Sequence, residues 1–130
     1  MILYLDTSAY VRACGDEPGS AAARAALTEH AGALVSSALL DVEVGRTAAR
    51  AGGEAAQRLQ DMLAYVDRVD ISRGIVAVAA QVAPSTALRS LDAIHLATAL
   101  ALEESAIMMT YDLRLQEACR SVGIPVLAPA

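Results

Sequence analysis

The opening stretch, Met1 to Ser8, constrains this chain more than any other. Ile2-Leu-Tyr-Leu5 is an essentially apolar run that stops at a carboxylate and two hydroxyls, Asp6-Thr-Ser8. A short run without polar alternation suits a strand buried on both faces, as in a parallel sheet. In open parallel sheets the carboxyl ends of the strands face the crevice where ligands bind. An ionised Asp6 there borders an apolar core, where isolated charge is costly. Either a cation or the N–H donors of the next helix must meet it. Taken alone, the residue supports the two readings equally.

The rest of the chain alternates strand and helix signals. Residues 9–13 read as a short helix and Asp16-Glu-Pro-Gly-Ser20 as a turn. Ser20 is placed to cap an Ala-rich helix that runs to about His30 and ends at Gly32. Residues 33–36 form a second strand, Ser36 or Ser37 caps a helix over 38–51, and Gly52-Gly53 breaks it. Leu59, Met62, Leu63 and Val66 share one helical face, within a helix over 54–65. A third strand is expected over 66–71, then a helix capped by Ser72 and reaching about Ala83. After the loop Pro84-Ser-Thr86, Ser90 is placed to cap a helix over 91–103. Residues 106–110 form a fourth strand, Asp112 opens a helix to Val122 closed by Gly123, and 124–127 form a fifth strand. Strands alternating with helices imply an α/β fold, a parallel sheet flanked by helices on both faces. With 130 residues and neither repeat nor linker, one domain over 1–130 is expected.

Hydrophobic residues make up 55% of the chain, enough for a core, and with no Trp or Phe that core must be Leu, Val, Ile and Ala. No apolar run is long enough for a bilayer, and no charged-then-apolar leader opens the chain, so a cytoplasmic location is expected. Cys14 and Cys119 form no C-x-x-C or metal-type pair and read as small buried residues. The net charge of -5 argues on its own against a polyanionic partner. All ten basic residues are Arg, which excludes any mechanism that needs an ammonium group.

Four of the fifteen acids do not read as solvated surface. Asp6 is one. Glu43 shares a helical face with Leu39, Leu40 and Thr47, whereas Asp41 points about 200° away from it. The local alternative for Glu43 is an ion pair with Arg46, worth little at a surface. Asp92 opens Leu91-Asp-Ala-Ile-His-Leu-Ala-Thr-Ala-Leu100, a helix apolar on nearly every side and therefore buried. Asp112 follows the fourth strand, where it can also cap the next helix. Strand ends and the helix starts that follow them gather on one edge of a wound sheet. Four carboxylates there would repel one another, and some would stay protonated unless a divalent cation joined them. Oxygen ligands suit hard ions such as Mg²⁺ or Mn²⁺. Such an ion can activate water and neutralise a phosphodiester. His95, one turn after Asp92, reads as a packed or dimer-interface histidine rather than a general base.

Four stretches, in this order, carry a resemblance: Tyr4-Leu-Asp-Thr-Ser-Ala9, Glu43-Val44, Leu91-Asp-Ala-Ile-His-Leu-Ala-Thr-Ala99 and Thr110-Tyr-Asp-Leu-Arg-Leu115. The chain resembles the PIN-domain ribonucleases, specifically VapC-type toxins of bacterial toxin–antitoxin pairs, over essentially its whole length. The resemblance implies metal-dependent endonucleolytic cleavage of RNA. Asp6, Glu43, Asp92 and Asp112 would be the catalytic and metal-binding set, supported by the hydroxyls of Thr7, Ser8 and Thr110. It also implies a homodimer and a cognate antitoxin protein. RNA contact is expected from Arg12, Arg46, Arg89 and Arg114, near the site in sequence. Two divalent ions would bring the net charge to about -1. Single-stranded or loop RNA suits the absence of an aromatic stacking strip.

Two rival readings remain at this level. A Mg²⁺-dependent phosphotransfer domain also gathers acids at strand ends, but it uses a Lys, and this chain has none. A catalytically idle, partner-binding domain of the same fold would need the acids only as helix caps.

Overall fold

Five short strands lie parallel in one sheet, ordered β3-β2-β1-β4-β5. They are β1 Ile2–Leu5, β2 Leu34–Ser37, β3 Asp67–Val69, β4 Ala106–Met109 and β5 Val126–Leu127. The structure, a computed structural model, describes residues 1–130. Seven α-helices connect the strands: α1 Thr7–Cys14, α2 Ser20–Glu29, α3 Leu39–Ala51, α4 Gly53–Asp61, α5 Arg73–Ala79, α6 Ser90–Leu100 and α7 Leu113–Ser121. A 3-10 turn, Met62–Tyr65, follows α4. No helix is long and apolar enough to cross a membrane.

Alternation along the strands splits the core in two. Leu3, Leu5, Leu34 and Met109 point to one face, against Tyr10 and Ala13 of α1, Leu27 of α2, Leu40 and Val44 of α3 and Leu59 of α4. Tyr4, Val35 and Met108 point to the other, against Leu96 of α6 and Leu115 and Cys119 of α7. The expected helices on both faces are therefore present, and the central strand β1 is buried from Leu3 to Leu5.

The strand order places the site. From β1 the chain steps outward to β2 and β3, then returns to set β4 on the other side of β1. The helices that follow these two central strands, α1 and α7, go to opposite faces. Between β1 and β4 a crevice therefore opens at the carboxyl ends of the strands, the place where wound sheets hold ligands.

Several element ends differ from the sequence expectation. Helix α1 starts at Thr7 rather than residue 9 because Asp6 caps it. Ser20 and Ser90 are first helical residues, not caps; Gly19, at φ +90°, and Arg89 hold those positions. The Ser20 hydroxyl instead accepts from the Glu17 N–H of the preceding turn. Ser72 does cap α5, accepting from the Ile75 N–H, but that helix ends at Ala79 and not near Ala83. Gly52 and Gly53 both have positive φ, which only glycines adopt freely in succession, and they separate α3 from α4 as expected. Strand β3 and helix α6 are shorter than their patterns suggested.

Candidate active site

The turns after β1 and β4 are fastened to each other by hydroxyls. Asp6, 3% exposed, caps α1 by accepting from the Ala9 N–H at 3.0 Å. Its other oxygen accepts from Thr110 Oγ1 at 2.6 Å, across the crevice from the end of β4. Ser8 Oγ donates to the same carboxylate at 2.8 Å and accepts from the Tyr111 N–H at 3.0 Å. Thr110 Oγ1 in turn accepts from the Asp112 N–H at 3.1 Å. Burial pushes the Asp6 carboxyl above its ordinary value, while the bonds from Thr110, Ala9 and Ser8 pull it back. Asp6 is a cap whose oxygens are nearly saturated.

Glu43 reaches the crevice from α3, in the same layer as α1. Thr7 Oγ1 donates to its Oε1, and His95 Nε2 lies 3.0 Å from the same oxygen. Burial would raise this carboxyl, but the bonds from His95 and Thr7 outweigh it, and the net shift is downward. The ion pair with Arg46 does not form; Glu43 pairs with His95. Behind the ring, Tyr4 Oη stands 2.8 Å from His95 Nδ1. His95 is 1% exposed, so it is packed as expected, yet against a site carboxylate rather than at an interface. Sequence reasoning missed its partner. The available signal was the spacing of three that sets Asp92 and His95 on one face of α6.

Asp92 lies half-buried in the first turn of α6. Burial, then the charges of Asp112 and Asp6, raise its carboxyl. That mutual influence puts the three acids in one electrostatic neighbourhood. Asp112 caps α7, with Oδ1 accepting from the N–H groups of Arg114 and Leu115. Its Oδ2 has no such donor. The supporting hydroxyls Thr7, Ser8 and Thr110 therefore all touch site carboxylates.

The four acids do not enclose a ready-made metal cage. No three of the chain's carboxylate, imidazole and thiol groups stand close enough to share one ion. Asp6 is taken up by hydrogen bonds at both oxygens, whereas Glu43 is bonded only at Oε1, Asp112 only at Oδ1 and Asp92 at neither oxygen. The donor chemistry, oxygen only, suits a hard divalent ion, which is commonly held by one or two carboxylates with water completing the shell. Asp92 and Asp112, with Asp6 behind them, are the residues that could hold it.

Of the arginines considered for RNA contact, Arg12 is committed elsewhere. It pairs with Glu17 at 3.2 Å, donates to the Pro18 carbonyl and lies 4.3 Å over the Tyr111 ring. Arg46, Arg89 and Arg114 are exposed on α3, before α6 and on α7.

Residues 3–121 match the sequence pattern of the PIN domain family. The chain is 38% identical to ribonuclease VapC46 of Mycobacterium tuberculosis over 130 residues, covering 98% of both chains. It is 38% identical to ribonuclease VapC35 and 35% identical to ribonuclease VapC47 of that organism, covering 98% of this chain and 97% of each relative. Among solved structures, a VapBC2 complex from Rickettsia felis bound to a promoter DNA fragment superposes with a TM-score of 0.76 at 16% identity over the full length of both chains. A toxin–antitoxin complex from Klebsiella pneumoniae gives 0.73 at 22% identity over 98% of both. These two likenesses concern the fold.

Proposed function

We propose a function from a plain premise: this chain belongs to the PIN domain family. It is an endoribonuclease that hydrolyses RNA phosphodiesters with a divalent ion, Mg²⁺ or Mn²⁺, and it is the toxin of a toxin–antitoxin pair. Its partners are a cognate antitoxin protein and a second copy of itself. The near full-length likeness to ribonucleases named VapC supports the substrate class.

The observation that carries the reading is the state of Asp92. Its carboxyl is raised by burial and by two neighbouring acids, Asp112 and Asp6. A cation in the crevice would relieve that repulsion. A hard divalent ion held there supplies an acidified water and positive charge against the leaving oxygen. The side chains do the rest. Asp6, fixed by Thr110, Ser8 and the Ala9 N–H, holds negative charge at the crevice floor. Asp92 and Asp112 turn unblocked oxygens outward. Asp112, whose Oδ2 accepts no hydrogen bond, is suited to orient the attacking water. Arg46, Arg89 and Arg114 lie exposed to meet backbone phosphates of single-stranded or loop RNA.

The test is cleavage of a mixed single-stranded RNA by purified protein. Mg²⁺ or Mn²⁺ supports cleavage, EDTA abolishes it, and Asp92→Asn lowers it about 100-fold or more. Equal cleavage by the wild type with Mg²⁺, the wild type in EDTA and Asp92→Asn would leave an idle domain whose acids serve only as caps.

A further inference from the structure

Glu43 belongs to the layer of α1 to α4, and an imidazole from the opposite layer contacts it. His95 reaches it from α6, and Tyr4 stands behind His95 from β1, so three elements meet in one chain of contacts. The ring lies edge-on to the Tyr4 ring, with centroids 5.8 Å apart and planes at 75°.

The chemistry of the end groups orders this chain. An ionised Glu43 can only accept, so the nitrogen that faces it must carry the proton. That nitrogen is Nε2. A neutral ring then has a bare Nδ1, which needs a donor, and the Tyr4 hydroxyl at 2.8 Å is that donor. Tyr4 is fully buried, and burial pushes its ionisation far upward, so it keeps its proton. The reverse tautomer would set a lone pair of Nε2 against a carboxylate oxygen. With His95 1% exposed, no bulk water competes for either nitrogen.

We propose that His95 is a positioning residue for this site: its Nε2–H aims Glu43 into the crevice, and Tyr4 holds the ring in place by donating to Nδ1. The consequence for catalysis rests on the hydrolase reading above; the tautomer does not. Polar groups that orient a site's carboxylates in this way commonly carry about 10–100-fold of activity or metal affinity.

Two substitutions separate aim from packing. His95→Gln places an amide N–H near the position of Nε2 and keeps the donor to Glu43. His95→Asn is shorter; its amide reaches only toward the place of Nδ1 and leaves Glu43 without its donor. His95→Asn is expected to lower kcat about 10–100-fold with KM little changed, and His95→Gln to stay within a few-fold of wild type. Equal loss in both variants, or none in either, overturns the proposal.

A second readout needs no activity. Long-range ¹H–¹⁵N spectra at about pH 8 should report His95 as protonated at Nε2 and bare at Nδ1. His30 is an internal contrast, because its Nδ1 lies 2.9 Å from the Ala26 carbonyl and must carry the proton there. Tyr4→Phe should leave the proton on Nε2 facing Glu43 and shift the Nδ1 resonance, because that nitrogen loses its donor. A bare Nε2, or a protonated Nδ1 at that pH, overturns the assignment. If the wild type cleaves no RNA with any divalent ion, the hydrolase reading falls, and the ring spectrum alone decides the positioning claim.

Discussion

Asp92 shows how a single residue is placed against its own stability. A carboxylate in the first turn of a helix is ordinarily favoured by the helix dipole. Here burial and the charges of Asp112 and Asp6 outweigh that benefit, and the folded carboxyl holds its proton more tightly than an unfolded one would. Such a group contributes stability that is complete below its unfolded pKa and lost as pH rises through the folded one. At neutral pH the ionised side chain is therefore a cost to the metal-free fold. Asp92→Asn, which mimics the protonated form, should raise the thermal midpoint in EDTA by on the order of 1–3 °C at pH 7. Near pH 3, where wild-type Asp92 is protonated, that gain should vanish. Thermal scans at the two pH values check this. A lower midpoint for the variant at pH 7 would mean that Asp92 is stabilised by its surroundings, which counts against a cation in the crevice. The same substitution should lower cleavage about 100-fold or more, so activity and stability are expected to move in opposite directions.

At the scale of elements, the two central turns behave as one unit. Thr110 Oγ1 donates to Asp6 and accepts from the Asp112 N–H, which joins the cap of α1 to the cap of α7. Thr110→Val keeps the shape and removes both bonds, leaving Asp6 Oδ2 with only the Ser8 hydroxyl at 3.0 Å and the Asp112 N–H without its acceptor. The expected cost is about 1.5–3 kcal/mol in urea unfolding, with Thr110→Ser costing about 1 kcal/mol or less. A Val variant within about 0.5 kcal/mol of wild type would show that the sheet alone holds these turns. Part of this unit was legible in the sequence. Asp6 and Asp112 each follow an apolar run; both cap the next helix, which for Asp6 was one of two readings the pattern left open. The face of Glu43 was legible too, from its spacing to Leu40 and Thr47. What spacing could not supply was partners from other elements. Arg46 lies three residues from Glu43, yet His95, 52 positions away, takes it. Ser20 and Ser90 had the residue type of a cap, but the backbone before each helix turned one residue earlier, at Gly19 and Arg89.

At the scale of the whole molecule, the alternation of strands and helices was enough to foresee two layers around a parallel sheet, because buried parallel strands leave no other place for the helices. The strand order was not legible, since nothing local records that β4 returns to the far side of β1. That layering fixes the fate of the two cysteines. Cys14 belongs to the cluster beneath α1 to α4, and Cys119 to the cluster beneath α6 and α7. The sheet lies between them, so they are free thiols that cannot pair within the fold. Burial pushes Cys14 up to about 11 and Cys119 up to about 12, so almost no thiolate exists near pH 8. A disulfide reagent should therefore label neither thiol in the native protein except through opening of the chain. Each layer packs on the same central strand, β1, through Leu3 and Leu5 on one face and Tyr4 on the other. Neither layer should open without exposing the sheet to water on that side, so one cooperative unfolding event should expose both. Mass spectrometry of pulse-labelled protein should then find molecules with no label or two, and the doubly labelled fraction should grow at the global unfolding rate. Accumulation of singly labelled molecules, with Cys14 modified first, would mean that the α1–α4 layer opens on its own and that the two halves of the core are not one cooperative unit.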